Sequence, residues 1–163
     1  MIIKKATLGD INTINVIYNQ AVAKKYCTAH LEPVSLEERI SWFFKYDPER
    51  FPVFILEEEG AVKGWISLRP YRENRRALGH VAEVSYYVHN EFQGRGAGTA
   101  LMEYAIKESQ RFGFTVLIAI LLDRNKASIA LLNKFGFKKW GCMPGIARIN
   151  GEKVDHLYYG LNI

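Results

Sequence analysis

The sequence predicts a mixed α/β domain: a twisted, mostly antiparallel sheet of about seven strands with about four helices packed on it. Three observations carry this. The apolar pattern switches between period two and period 3.6 in the order β-α-α-β-β-β-α-β-α-β-β. A tight turn joins strands in the first half, whereas helices separate strands in the second half, as parallel crossovers require. Val116 to Leu122 is an unbroken apolar run that suits a strand buried on both faces. At 163 residues the chain is one domain, residues 1–163, by the usual size relation.

Ile2 to Ala6 reads as the first strand. Thr7-Leu8-Gly9-Asp10 is a capping box, with a helix after it carrying Ile11, Ile14, Ile17, Tyr18 and Val22 on one face. Ser35-Leu36-Glu37-Glu38 is a second box. It opens a helix with Leu36, Ile40, Phe43 and Phe44 as its apolar stripe, ending before Pro48. Val53–Glu57 and Val62–Leu68 are strands joined near Gly60, and Val81–Val88 is another. Thr99–Phe112 is a helix with Gly113 just past its end, and Ser128–Phe135 is a helix ending at Gly136. Lys138–Ile149 and Lys153–Leu161 close the chain as a hairpin around Asn150-Gly151.

Composition narrows the function. Apolar residues make up 48% and charged residues 24%, which excludes wholesale disorder. The N-terminus turns polar after Ala6 and carries no secretory h-region, and no apolar run reaches eighteen residues. A cytoplasmic protein with no membrane partner is expected. Cys27 and Cys142 are too few for a disulfide scaffold, and no metal-ligand spacing occurs; His30, His80, His89 and His156 form none either. Lys and Arg exceed Asp and Glu by 22 to 17, which favours anionic small molecules. The one dense basic cluster, Arg69 to Arg76, is short and contains Glu73, so no nucleic-acid partner is expected.

The segment Gln93-Gly94-Arg95-Gly96-Ala97-Gly98-Thr99 follows a strand and opens a helix. Glycines let the backbone turn and let a ligand reach the N–H groups; the first helical turn adds unpaired donors and the positive end of the dipole. This is an anion site suited to a pyrophosphate. A Walker A loop needs a Lys before Thr99 and has none, and a dinucleotide fingerprint needs wider glycine spacing than Gly94, Gly96 and Gly98 provide.

Gln93-x-x-Gly96-x-Gly98 resembles the Q/R-x-x-G-x-G/A signature of the GNAT superfamily of acetyl-CoA-dependent N-acetyltransferases. Asn125-Lys126-Ala127-Ser128 and Phe135-Gly136-Phe137 look like that family's second block, at the expected distance. Ala82-Glu83-Val84-Ser85-Tyr86-Tyr87-Val88, with Glu32-Pro33-Val34 and Pro144-Gly145-Ile146, resembles the phosphinothricin acetyltransferase branch, whose members acetylate small amino-acid analogues such as phosphinothricin or methionine sulfoximine.

The resemblance implies acetyl-CoA as co-substrate. Its pyrophosphate would rest on Gly94 to Gly98 and its pantetheine arm beside Tyr86, Tyr87 and Val88, with further contacts from Asn125 and Ser128. It implies Glu83 as general base toward the acceptor amine, direct attack in a ternary complex, and a homodimer. Many members carry a Tyr, and this branch often a His, on the last helix to protonate the leaving thiolate; the matching position is Leu132. Tyr86, Tyr87 or water remain as substitutes. Arg72, Arg75 and Arg76 precede the catalytic strand and can clamp a carboxylate or stand as a solvated loop. A peptide N-terminus or lysine acceptor, and an acetyl-CoA sensor without catalysis, are the alternative functions.

Overall fold

The computed structural model describes residues 1–163. Seven strands form one sheet: β1 (Ile2–Lys5), β2 (Val53–Glu58), β3 (Ala61–Pro70), β4 (Val81–Val88), β5 (Val116–Leu122), β6 (Lys138–Ile149) and β7 (Glu152–Asn162). Their order is β1-β2-β3-β4-β5-β7-β6. Every neighbouring pair is antiparallel except β4–β5, the parallel pair. Four helices accompany them: α1 (Ile11–Ala23), α2 (Leu36–Phe44), α3 (Ala97–Ser109) and α4 (Lys126–Lys134). The expected mixed, mostly antiparallel sheet with four helices is the architecture found.

Local chemistry accounts for most boundaries. The β2–β3 loop is Glu59-Gly60 and the β6–β7 loop is Asn150-Gly151. Both residues of each loop have positive φ, the two-residue turn whose twist matches antiparallel strands. Ser35 and Glu38 form a complete capping box: Glu38 N–H donates to Ser35 Oγ at 3.1 Å and Ser35 N–H to the Glu38 carboxylate at 2.8 Å. The first box pairs Thr7 with Asp10 as its sequence predicts. The Asp10 carboxylate accepts from the Thr7 N–H and hydroxyl, but Asp10 N–H donates to the Thr7 carbonyl, and a 3-10 turn at Leu8–Asp10 precedes α1. The third helix starts two residues earlier than expected, at Ala97, and its last turn tightens to 3-10 over Gln110–Phe112 before Gly113 at φ +79°.

The sheet divides the molecule into two unequal layers. On one face, α3 and α4 cover a cluster of eighteen buried apolar residues that includes Leu68, Val84, Leu101, Leu117, Leu132 and Tyr159. On the other, α1 and α2 cover seven, centred on Ile14, Ile17, Tyr18, Ile55 and Trp65. Here α2 departs from its pattern. Ile40 and Phe44 are exposed, and the buried residue of the helix is Arg39. Its guanidinium lies 4.2 Å from the Tyr18 ring centroid and 4.7 Å from that of Trp42, and its Nε donates to Asn15 Oδ1 at 3.3 Å. Stacking on aromatic faces offsets the desolvation of the cation, and this rotates the helix away from its aliphatic stripe.

At the far edge of the sheet, β6 is irregular: its register slips at Lys139/Gly141 and again between Met143 and Ala147. The Trp140 ring lies directly on Gly160 of β7, so close that a Cβ added there would sit 2.0 Å from a ring carbon.

Candidate active site

β4 and β5 are paired only over Val81–Glu83 and Val116–Ile118. Beyond this the strands part, and β5 stays with β7 along its whole length. The opening between Val84–Val88 and Ala119–Leu121 is the wall of a cavity of about 500 Å³. One side is closed by α4 through Leu131 and Leu132, the other by the end of α1 and the residues after it, Lys24, Tyr26 and Cys27. A parting pair of parallel strands offers backbone groups that neither strand satisfies, the condition for an extended ligand to add like a strand.

The glycine loop forms the mouth of this cavity. Gly94 and Gly96 have φ of +72° and +88°, a conformation that L-residues rarely adopt, and nothing lies within 4 Å of a Cβ built on either. Ala100 is the first residue of α3 whose N–H is taken by an internal acceptor, Gly96 O at 3.0 Å. The N–H groups of residues 94–99 before it have no backbone acceptor within the chain, as an anion site requires. Lys24 and Lys134 bring positive charge to the same rim: Lys24 Nζ donates to Gln93 Oε1 at 2.6 Å and Lys134 Nζ to Thr99 Oγ1 at 3.4 Å. The cavity, the glycines and the free N–H groups fit a long phosphorylated thioester.

The residues singled out in the sequence divide by place. Tyr86, Tyr87, Val88, Gln93, Gly94, Gly96, Gly98, Thr99, Asn125 and Ser128 line the cavity; Arg95 and Ala97 do not, and Ala97 is buried in the core. Gln93 holds the loop itself, donating to Val88 O at 3.0 Å. Asn125 caps α4, accepting from the Ser128 N–H at 3.2 Å. The Tyr86 hydroxyl donates to Ser128 O at 3.4 Å, and burial pushes its pKa up to about 12. Lys24, Cys27 and Lys134 carried no motif and were missed; they reach the cavity only because helix ends fold over it.

Side chains of β4 alternate between the layers. Val84, Tyr86 and Val88 pack toward α3 and α4, whereas Tyr87 packs toward α1. Glu83 and Ser85 share the face of Tyr87. Glu83 is the last paired residue before the strands part, opposite Arg69 on β3. Burial pushes its carboxyl above the ordinary range, and nearby Arg72 pulls it part of the way back. Arg72 and Arg75 line a second recess with Tyr71, Glu73 and Leu78; Arg76 does not. None of the three arginines is ion-paired within the chain, while Glu73 is held by Lys45 and Tyr46. Arg69 turns away: it is buried over Trp42, donates to Phe51 O at 3.0 Å, and leaves Nε and Nη2 without partners.

Strands that part beside a glycine-headed helix, with a half-buried glutamate at the fork, are the features of this candidate site. The acetyltransferase (GNAT) family profile matches residues 17–137, and the chain belongs to this family. It is an N-acetyltransferase similar to the phosphinothricin branch. The Escherichia coli L-amino acid N-acyltransferase MnaT is 31% identical across 100% of this chain and 94% of its own length. The Salmonella typhimurium L-methionine sulfoximine/L-methionine sulfone acetyltransferase is also 31% identical, across 100% and 95%. The crystal structure of a GNAT superfamily phosphinothricin acetyltransferase from Sinorhizobium meliloti in complex with acetyl-CoA superposes with a TM-score of 0.88 at 28% identity, covering 99% of this chain and 88% of that one.

Proposed function

We propose that the protein transfers an acetyl group from acetyl-CoA to the primary amine of a small amino-acid-like acceptor of the phosphinothricin or methionine sulfoximine kind. One observation carries this: a part-buried carboxylate, Glu83, stands at the fork between a cavity suited to the donor and a recess bearing two unpaired arginines.

The N–H groups of residues 94 to 99 hold the pyrophosphate, with Lys24 and Lys134 at the rim. Tyr86 to Val88 offer free backbone groups to the arm of the donor, and an N–H there stabilises charge on the carbonyl oxygen as it develops. An alkylamine has a free pKa of about 10.4 and is mostly cationic at neutral pH. Glu83, its proton affinity raised by burial, takes that proton directly or through water. Arg72 and Arg75 orient the acceptor's own acid group, a geometry in which guanidinium is favoured. Attack is direct: burial raises the pKa of the Cys27 thiol at the cavity wall, and that of exposed Cys142 is raised too, so no thiolate nucleophile stands ready. The same reading takes the protein as cytoplasmic, supported by two unpaired cysteines, and as a homodimer, supported by exposed Trp140, Met143 and Ile146 on β6.

The test is a panel of amines with acetyl-CoA, followed by thiol release. Amino-acid analogues bearing a carboxylate are expected to outrun their decarboxylated counterparts; equal rates would remove the arginine recess from recognition. Acetyl-CoA should also raise the melting temperature of the wild type. Gly96→Asp, which puts negative charge at the pyrophosphate site, should abolish that rise while the chain stays folded.

A further inference from the structure

The arginine recess contains a competitor of its own. Glu73 stands in the chain beside Arg72 and two residues before Arg75, and all three line the recess. A carboxylate tethered this close meets a guanidinium at high effective concentration, and the two groups pair well. Yet neither Arg72 nor Arg75 takes part in an ion pair of the chain.

Glu73 is held from α2 instead. Lys45, the C-cap of that helix, places Nζ 2.7 Å from Glu73 Oε1, and the Tyr46 hydroxyl donates to the same oxygen. These two hydrogen bonds hold the Glu73 carboxyl below the ordinary range, so it carries its charge at neutral pH. The Lys45 and Glu73 side chains are each about half exposed, and an exposed pair by itself is a weak restraint. Tyr46 supplies the fixed point. Its ring centroid lies 5.7 Å from that of Phe51, which packs in turn on buried Phe114. The guanidinium carbon of Arg69 lies 5.3 Å from the same Tyr46 ring. Arg69, buried and outside the recess, thus helps to seat the ring whose hydroxyl reaches Glu73.

We propose that Lys45 and Tyr46 are positioning residues for acceptor recognition: they hold Glu73 off Arg72 and Arg75 and so keep both guanidiniums open to the acceptor's acid group. The proposal rests on the arginine-recess part of the function proposed above. Neither residue lines the recess; each acts through Glu73. The loop therefore carries its negative charge without spending its positive charges on it.

Binding without turnover tests this. The protein is loaded with free CoA, and L-methionine sulfoximine is titrated by calorimetry, with its decarboxylated amine as control. Tyr46→Phe keeps the ring and removes the hydroxyl; Lys45→Met keeps the stem and removes the charge. The double variant should bind methionine sulfoximine about threefold more weakly, the scale of one exposed ion pair, and bind the control as the wild type does. Adding Glu73→Gln should restore the affinity, because the competitor is then uncharged, and Glu73→Gln alone should match that triple variant. A loss that persists with Glu73→Gln, or one shared by the control, makes Lys45 and Tyr46 supports of the fold and overturns the proposal. A double variant that binds like the wild type overturns it too. Arg72→Ala separates these outcomes from failure of the recess. If Arg72→Ala weakens binding and the double variant does not, the positioning role alone falls. If Arg72→Ala binds as the wild type does, or the wild type binds no methionine sulfoximine, the recess reading fails and the proposal with it.

Discussion

The two faces of the sheet solve different problems with different materials. The face under α3 and α4 is the larger and mostly aliphatic, and the candidate donor cavity opens from it beside the glycine turn. The face under α1 and α2 is smaller and mixes aromatic rings with two buried guanidiniums, Arg39 and Arg69, each over the Trp42 ring at 4.7 and 4.3 Å. Arg69 is driven down to about 10 by burial, with Arg39 adding to the fall. On the proposed reading, the face that would bind the donor is built mainly from packing, whereas the face that would recognise an acceptor keeps polar groups inside and bears their desolvation.

Four changes test that contrast, taken from the largest effect to the smallest. Leu101→Ala removes a fully buried side chain from the α3 face and should cost about 2–5 kcal/mol by denaturant unfolding. A cost below about 1 kcal/mol would show that this face is less closely packed than it looks. On the opposite face, Glu83→Gln should leave stability nearly intact but lower kcat about 10²-fold near neutral pH. That deficit should shrink in alkaline solution, where the amine loses its proton unaided; a constant deficit would exclude Glu83 as the base.

Arg72→Ala should raise KM for a carboxylate-bearing acceptor about tenfold or more and spare its decarboxylated counterpart. It should also shift the acid limb of kcat/KM. Glu83 acts only when deprotonated, and its pKa already lies above the usual carboxylate range; removing the cation that pulls it down moves the limb to higher pH. A limb that moves down, or a loss shared by both acceptors, would make the recess a structural loop. The smallest effect is Phe44→Ser, which should change stability by no more than about 0.5 kcal/mol, because that ring is 62% exposed despite its helical spacing with Ile40.

The donor half of the site was legible in the sequence because its signal is local. A glycine run between a strand and a helix specifies its own backbone, and Gly94 and Gly96 adopt the positive φ that such a run permits. Glu83 was legible through the strand motif that contains it. The cavity wall formed by the end of α1 was not. Lys24 and Cys27 meet β4 only through the packing of α1 and the segment after it, and no spacing along the chain encodes that meeting. The stripe of α2 was misread for a related reason. Periodicity counts Leu36, Ile40, Phe43 and Phe44 as inward; of these Phe43 packs on the core, while the rest give way to Arg39 and Trp42 of the same helix, because the facing surface presents Tyr18 and Trp65, over which the guanidinium stacks.

The seat of Trp140 on Gly160 has a consequence for how this family member can change. Position 160 tolerates no side chain while the indole lies on it, since even a methyl group would overlap the ring. A small residue at 140 would in turn bare the backbone of β7 at its pairing with Ile118 of β5, next to the strand that forks at the active site. A side chain at 160 requires the indole to move or be lost, whereas the pair exchanged together, bulk moving from one strand to the other, conserves volume. In any lineage of related chains, loss of the glycine should therefore accompany loss of the tryptophan.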